Sequence, residues 1–419
     1  MINELEERIE LEERFHRGLP PELPINVWKE RIERCRNLLE KAGMDALLVY
    51  SGGQALTGVQ WARYFANYVH PLWNSEAFIL IPLEEDPVLI VNYPFIVNHA
   101  KEMTPIKDVR AYKYFGRDLY TPARYETFEN LLKTIIKEKD MLGKKIGLGR
   151  QGMQGDYLPA VLERALYKAL EGTTVKDSSA LMWRLAMHKT DYDIKQIKKM
   201  CHIACDALKD GFMALGEGKT GFESFAAFAL ALGKYGAEIP GWYPTTWHYS
   251  IKGGIEIPNR PFWVTYAKFK KGDMVPIDTG LSYKGYTHDM CRTAIIGQPS
   301  NTQRRIQEAN INAQKAMQEA LKPGVSASEL SKINFEMAKK AGYDKIHDLQ
   351  GHGLGFFENE PPIITPWSDI IIEKNMIINL ECVIYVTGIG ISYVEDTFLV
   401  TDDGNEWLTD TMHQDLWVR

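Results

Sequence analysis

Four carboxylates and one imidazole, those of Asp278, Asp289, His352, Glu381 and Glu395, follow one another late in the chain. Each sits in a short stretch that reads as a strand or the end of one. An ionised carboxylate taken out of water is costly unless it is paired or binds a cation. A set this acidic therefore asks for cations. Oxygen-rich ligation with a single imidazole suits divalent Mn, Co, Fe or Zn, and suits copper or an iron–sulfur cluster poorly. Any one of these residues alone reads as a surface Asp or a capping Glu; the order and the strand context of all five set them apart.

The elements that must position them can be read in turn. The apolar lead Met274–Ile277 runs into Asp278, Gly280 and Gly285 permit a tight turn, and a second strand over Tyr286–Ile296 returns with Asp289. A hairpin of this kind brings two carboxylates about a metal's width apart. His352 lies in GHGLGFF, where glycines let backbone approach a site closely. Glu381 ends the apolar run Met376–Leu380, and Glu395 lies in YVEDT ahead of Phe398-Leu399-Val400. Cys291 and Cys382 stand close to Asp289 and Glu381 and, as thiols beside strand ligands, are expected to point away. His288, adjacent to Asp289 on a strand, is expected on the opposite side.

The motifs IDTG, GYTHDMCRT, GHGLG, NLEC and VEDTFLVTDDG resemble those of the creatinase/aminopeptidase P/prolidase/methionine aminopeptidase family (peptidase M24), which has the pita-bread fold. The resemblance runs from about residue 26 to the end. It implies that Asp278 binds one metal, that Asp289 bridges two, that His352 and Glu381 bind the other, and that Glu395 bridges. It implies a two-metal site of Mn, Fe, Co or Zn, and the intact set separates the chain from creatinase itself. Two ions sharing a water make it nucleophilic near neutral pH, and the resemblance gives Glu381 the task of passing a proton to the leaving nitrogen. The expected enzyme is a metal-dependent hydrolase of a C–N bond, amide or Xaa-Pro-like, in a small zwitterionic substrate or dipeptide.

Departures from the family pattern qualify that expectation. Where peptidase members carry a second His seven residues after the ligand His, this chain has Asn359. No His stands between Tyr249 and Asp278, and Tyr393 replaces the Arg often found two residues before the last Glu. These changes predict poor activity on ordinary Xaa-Pro dipeptides, with Asn359 and Tyr393 at the substrate. The aromatic segment Gly241–Tyr249, with Trp242, Tyr243 and Trp247, and Trp263 beyond it, falls where the family places a substrate-lining loop. Such faces attract cations by about 0.5–2 kcal/mol each; packing in a core or a dimer contact is the structural alternative. Glu358, six residues after His352, matches a basic carboxylate of the family's dimethylsulfoniopropionate lyases, although those also carry an acidic group where this chain has Gly280. His248 is an imidazole candidate for acid–base work, or else a hydrogen-bonded structural residue. Two further readings stay open: non-peptide chemistry of the lyase, creatinase or ectoine-hydrolase kind, and a catalytically silent binding protein, which the intact ligand set opposes.

The rest of the chain reads as support. Its 419 residues suggest two domains. A net charge of −6 argues against nucleic acid or an anionic membrane as partner, and no apolar run nears the ~20 residues of a membrane span. An odd count of five cysteines without a CxxC pair fits a reduced cytoplasm, and Cys201 and Cys205 read as one helix face. Residues 1–25 read as a charged helical extension, 26–180 as a creatinase-like α/β domain of alternating helix and strand, and 181–419 as the pita-bread catalytic domain, in an α/β (α+β) chain. The resemblance gives the α/β domain a part in forming a homodimer. The stretch 204–224 is echoed by 313–330: each reads as a helix, a glycine turn and a second capped helix, with Ser326 and Glu329 as a capping box in the latter. Two such units, each followed by strands, suggest a duplicated half folded round a central site.

Overall fold

The computed structural model describes residues 23–52, 60–69, 76–112, 123–152, 155–156, 158–237, 268–343, 348–386 and 388–419. The chain divides between Leu185 and Ala186 into two compact units. The charged lead at residues 1–22 falls outside the described residues.

In the first unit, Pro24 precedes helix α1 (Ile25–Lys41), which buries Val27, Arg31, Ile32, Cys35 and Leu39 at helical spacing. Strands β1 (Ala46–Gly52), β2 (Glu76–Pro82), β3 (Val88–Val91) and β4 (Asp108–Ala111) follow, then α2 (Ala123–Glu138), β5 (Lys145–Gly149), α3 (Ala160–Ala169) and β6 (Thr174–Asp177). They form one six-stranded mixed sheet in the order β4-β3-β2-β1-β5-β6. Strands β1 and β2 are buried at every position, which is why the runs Ala46–Tyr50 and Ala77–Pro82 are apolar throughout and do not alternate. Phe128, Leu132, Ile135 and Ile136 of α2 pack with Leu48, Phe78 and Ile90 on one side of the sheet.

The second unit begins with two helical hairpins. Helices α4 (Asp191–Met213) and α5 (Gly221–Lys234) make the first. Strands β7 (Met274–Tyr283) and β8 (Tyr286–Ile295) follow it. Helices α6 (Asn301–Ala320) and α7 (Ala327–Lys340) make the second hairpin. After it come β9 (Gly351–Gly353), β10 (Glu360–Ile363), β11 (Ile377–Val386), β12 (Gly390–Val400), β13 (Asn405–Trp407) and β14 (Trp417–Val418). All four helices start on capping boxes, Thr190 with Asp193, Thr220 with Glu223, Ser300 with Gln303 and Ser326 with Glu329. Each box satisfies amide groups that a helix start leaves open. The second cap of each hairpin also makes an isolated bridge, Thr220 to Lys268 and Ser326 to Ile371. The repeated grammar of the sequence is thus a repeated geometry.

The strands join in one eight-stranded sheet, β10-β9-β11-β12-β8-β14, with β7 beside β8 and β13 beside β12. Alternation along them sorts two faces. Ile378, Leu380, Cys382, Phe398 and Val400 pack with Ala313, Met317, Leu330 and Ile364 in a buried core. The intervening Asn379, Glu381, Glu395 and Thr397 point to the other face. The turn between β7 and β8 is Lys284-Gly285, with φ of 52° and 86°, as a two-residue hairpin of this twist requires. Gly280 is not part of that turn: it lies inside β7, paired with Asp289.

Candidate metal centre

Pairing across the sheet assembles the five candidates. Asp278 of β7 pairs with Cys291 of β8, Cys291 with Glu395 of β12, and Glu395 with Glu381 of β11. Direct partners on antiparallel strands face the same side. Asp289, two residues before Cys291, shares that side, and His352 pairs with Asn379, two residues before Glu381. One sheet face therefore carries all five side chains. His352 Nε2 lies 3.7 Å from Asp289 Oδ2 and 3.8 Å from Glu395 Oε1. The three ligand atoms stand within 4.8 Å of one another. Those spacings exceed a hydrogen bond and suit donors arranged round a cation.

The imidazole is prepared for ligation. His352 Nδ1 lies 2.9 Å from the Gly353 carbonyl, which assigns the proton to Nδ1 and leaves Nε2 with its lone pair toward Asp289 and Glu395. Burial pulls its pKa down to about 4, so the ring is neutral. The acids are pushed the other way. Burial first, then the charges of Glu395, Asp278, Glu358 and Glu381, raises Asp289 well above the usual carboxylate range. Glu395 rises for the same reasons, with Asp278 and Glu381 its strongest neighbours. Glu381 is raised to about 8 by burial, against a hydrogen bond from the Tyr393 hydroxyl, with Asp278 adding to the rise.

Among the described residues, buried Glu381 Oε1 has no hydrogen-bond partner, and the Glu395 carboxyl meets that of Asp278. Crowded buried carboxyls on one face, beside a neutral imidazole nitrogen, are what a divalent ion would satisfy, and the donor set is one that divalent Mn, Fe, Co or Zn accepts.

Family models and relatives agree with this geometry. Residues 195–402 match metallopeptidase family M24, and residues 31–188 match the creatinase/prolidase N-terminal domain. An Xaa-Pro dipeptidase of Pyrococcus horikoshii is 32% identical over 92% of this chain and 99% of its own. The chain belongs to metallopeptidase family M24. An Xaa-Pro dipeptidase of Pyrococcus furiosus is 35% identical, over 54% of this chain and 64% of its own length, a little under two thirds of that relative. The solved prolidase of Pyrococcus horikoshii superposes with a TM-score of 0.76 at 25% identity, covering 92% of this chain and 99% of that one. As a member of the family, this chain is a metal-dependent hydrolase with an N-terminal creatinase-like unit and a pita-bread M24 unit.

Other candidate residues stand around the proposed ligands. The Tyr393 hydroxyl donates to Glu381 Oε2. Glu358 is half-buried and follows His352 on the short loop between β9 and β10; burial and the charges of Asp278 and Glu381 raise it well above the usual range. Asn359 beside it is half-buried. His288 is buried on the far face, as expected, with its pKa lowered to about 3 by burial and then by Arg292. Trp242, Tyr243, Trp247, His248 and Trp263 lie outside the described residues.

One expectation is corrected. Cys382 does point away, accepting from Asn334 Nδ2 at 2.8 Å. Cys291 does not: it is two residues from Asp289, not adjacent to it, and the period of a strand puts it on the ligand face. Its thiol is pushed up by burial and then by Asp278 and Glu395.

Sequence reasoning also missed the residues that hold the ligands. Asn379 Nδ2 donates to Glu395 Oε1 at 2.8 Å and to the Asp289 carbonyl at 3.2 Å. Its signal was available: a polar residue inside an apolar strand run, two positions before a ligand. Behind the sheet, Asn310 and Gln314 of α6 donate to the carbonyls of Cys382 and Leu380, on either side of Glu381, at 3.0 and 2.9 Å. Arg292, fully buried, pairs with Asp396 and donates to the Glu395 carbonyl at 2.7 Å. Buried Lys189 pairs with Glu360, whose other oxygen accepts the amides of Phe356 and Phe357 at 3.3 Å each. That arrangement fixes the loop between His352 and β10, which carries Glu358.

Proposed function

We propose that this chain holds two divalent ions through Asp278, Asp289, His352, Glu381 and Glu395, and that with them it hydrolyses a C–N bond, amide or Xaa-Pro-like, in a small zwitterionic substrate. The observation that carries this reading is the placement of the five side chains on one sheet face, with ligand atoms of Asp289, His352 and Glu395 within 4.8 Å of one another. The relatives named Xaa-Pro dipeptidase support the bond type. When bound, such ions supply Lewis acidity and activate water near neutral pH.

The chain's own groups do the remaining work in this reading. Glu381 moves the proton to the leaving nitrogen, held in orientation by the Tyr393 hydroxyl. Glu358 offers a second carboxylate beside Asp278 and Glu381. Asn359, Tyr393 and the aromatic residues Trp242, Tyr243, Trp247 and Trp263 contact the substrate, and His248 is a further acid–base group. The chain acts in the cytoplasm as a homodimer, which sedimentation of the purified protein tests.

The deciding experiment offers metal-loaded protein a panel of Xaa-Pro dipeptides and small zwitterionic amides in oxygen-labelled water. Hydrolysis puts solvent oxygen into the new carboxylate. The presence of Glu358 beside the ligands favours a second reading, elimination with Glu358 as base. An alkene product without label would replace the hydrolase reading with that one.

A further inference from the structure

Strands β8 and β12 meet along a seam through the centre. The β7–β8 hairpin brings Asp278 and Asp289, and the β11–β12 hairpin brings Glu381 and Glu395. Yet β8 and β12 register a single pair, Cys291 with Glu395. By the period of the strands the next pair on that face would be Thr293 with Tyr393. There a side chain takes the place of the main-chain rung. Thr293 Oγ1 accepts the Tyr393 amide at 2.9 Å and donates to the Tyr393 carbonyl, also at 2.9 Å. A hydroxyl has one proton and two lone pairs, so a single Thr can serve both main-chain groups of one residue. Thr293 is fully buried. On the other side of the rung, side chains bridge the seam as well: Asn379 Nδ2 and Thr397 Oγ1 donate to the Asp289 carbonyl at 3.2 and 3.4 Å. The residue that Thr293 grips is the one whose own hydroxyl donates to Glu381 Oε2. An unbroken run of hydrogen bonds thus leads from β8, through the main chain and the phenol of Tyr393, to the Glu381 carboxyl.

We propose that Thr293 is a positioning residue of the centre: it fixes the main chain of Tyr393 and so aims the hydroxyl that orients Glu381 toward a bound ion. The inference rests on Glu381 being a metal ligand in the reading above. Valine has the shape of threonine without the hydroxyl. In its place the Tyr393 amide and carbonyl lose this partner, and buried main-chain groups do not stay unpaired without cost. They recover partners only if β12 shifts against β8, and that shift carries the phenol away from Glu381. Serine keeps the hydroxyl and with it both bonds.

The test is a double-mutant cycle on full-length protein stripped of metal, with manganese alone as the probe and calorimetry as the readout. Thr293→Val and Tyr393→Phe should each weaken manganese binding by roughly 10–100-fold, the usual cost of losing an outer partner of a metal ligand. Thr293→Ser should bind as wild type. The double variant should bind no more weakly than Tyr393→Phe alone, because phenylalanine has no hydroxyl left to aim. Losses that multiply would show that Thr293 acts on the centre by another route, and would overturn the proposal. Wild-type affinity in Thr293→Val, or a loss that Thr293→Ser does not rescue, would overturn it too. A single ion per wild-type chain overturns the two-ion reading while the cycle still decides the part of Thr293; no uptake at all overturns both. If Thr293→Val does not fold, as circular dichroism would show, Thr293→Ala takes its place in the cycle.

Discussion

Glu395 is held from one side, its Oε1 accepting from Asn379 Nδ2. A ligand that bridges two ions supports both, so Glu395→Ala should lose metal content and activity together; full metal content in that variant, measured by plasma emission, would refute the assignment. Asn379 touches the ligand and not the substrate's reacting bond, so it is a positioning residue. Asn379→Ala should weaken metal binding about 10–100-fold while Asn379→Asp, which keeps the shape but repels the carboxylate, should weaken it further. Equal manganese affinity in wild type and Asn379→Ala would show that the hydrogen bond does not hold the ligand. The five proposed ligands could be singled out from the chain because metal chemistry leaves few residue types to choose from, and the structure puts them on one sheet face. Asn379 and the face of Cys291 required the period of the strand to be counted from each ligand in turn.

At the scale of elements, the sequence carried more of the helices than of the contacts between distant segments. Ser326 and Glu329 announce a helix start locally, and the capping box is there. The misplaced turn at Gly280 shows the limit: a glycine opposite Asp289 leaves room on the ligand face, and in the sequence it is indistinguishable from a turn glycine. Lys189 and Glu360 are 171 residues apart, and Arg292 and Asp396 are 104 apart; nothing local pairs them. Gly355, at φ +143°, completes the Lys189 site: a Cβ there would lie 2.6 Å from Lys189 Cε. Removing one partner of a buried pair leaves an uncompensated charge. Lys189→Met should therefore cost about 3–5 kcal/mol in denaturant unfolding, well beyond the effect of Lys→Met at exposed Lys332. A loss below 1 kcal/mol would mean that Glu360 finds another partner or takes up a proton cheaply.

For the whole molecule, the buried acids make stability a function of both pH and metal. Glu381 has an ordinary value of 4.5 and a folded value of about 8. Asp289, Glu358 and Glu395 are raised in the same direction. A carboxyl raised on folding holds its proton more tightly in the native state, so its contribution is complete below the unfolded value and is lost as pH rises through the folded one. His352 and His288 are lowered to about 4 and about 3 from 6.5 and act in the opposite sense, their contribution being lost as pH falls below 6.5. Between pH 6.5 and 8 the raised acids act without that opposition. The metal-free protein should therefore melt at progressively lower temperature across this interval. Divalent ions take the place of the protons, and their affinity rises as pH rises. Manganese at a hundred times its dissociation constant should add about 2.7 kcal/mol and flatten the pH dependence. Calorimetry of chelator-treated and manganese-loaded protein at several pH values in that interval checks both arms. A metal-free protein whose melting temperature is flat or rises toward pH 8 would show that the four acids are not held protonated by burial and by one another, and that the cluster is more open to water than its burial implies.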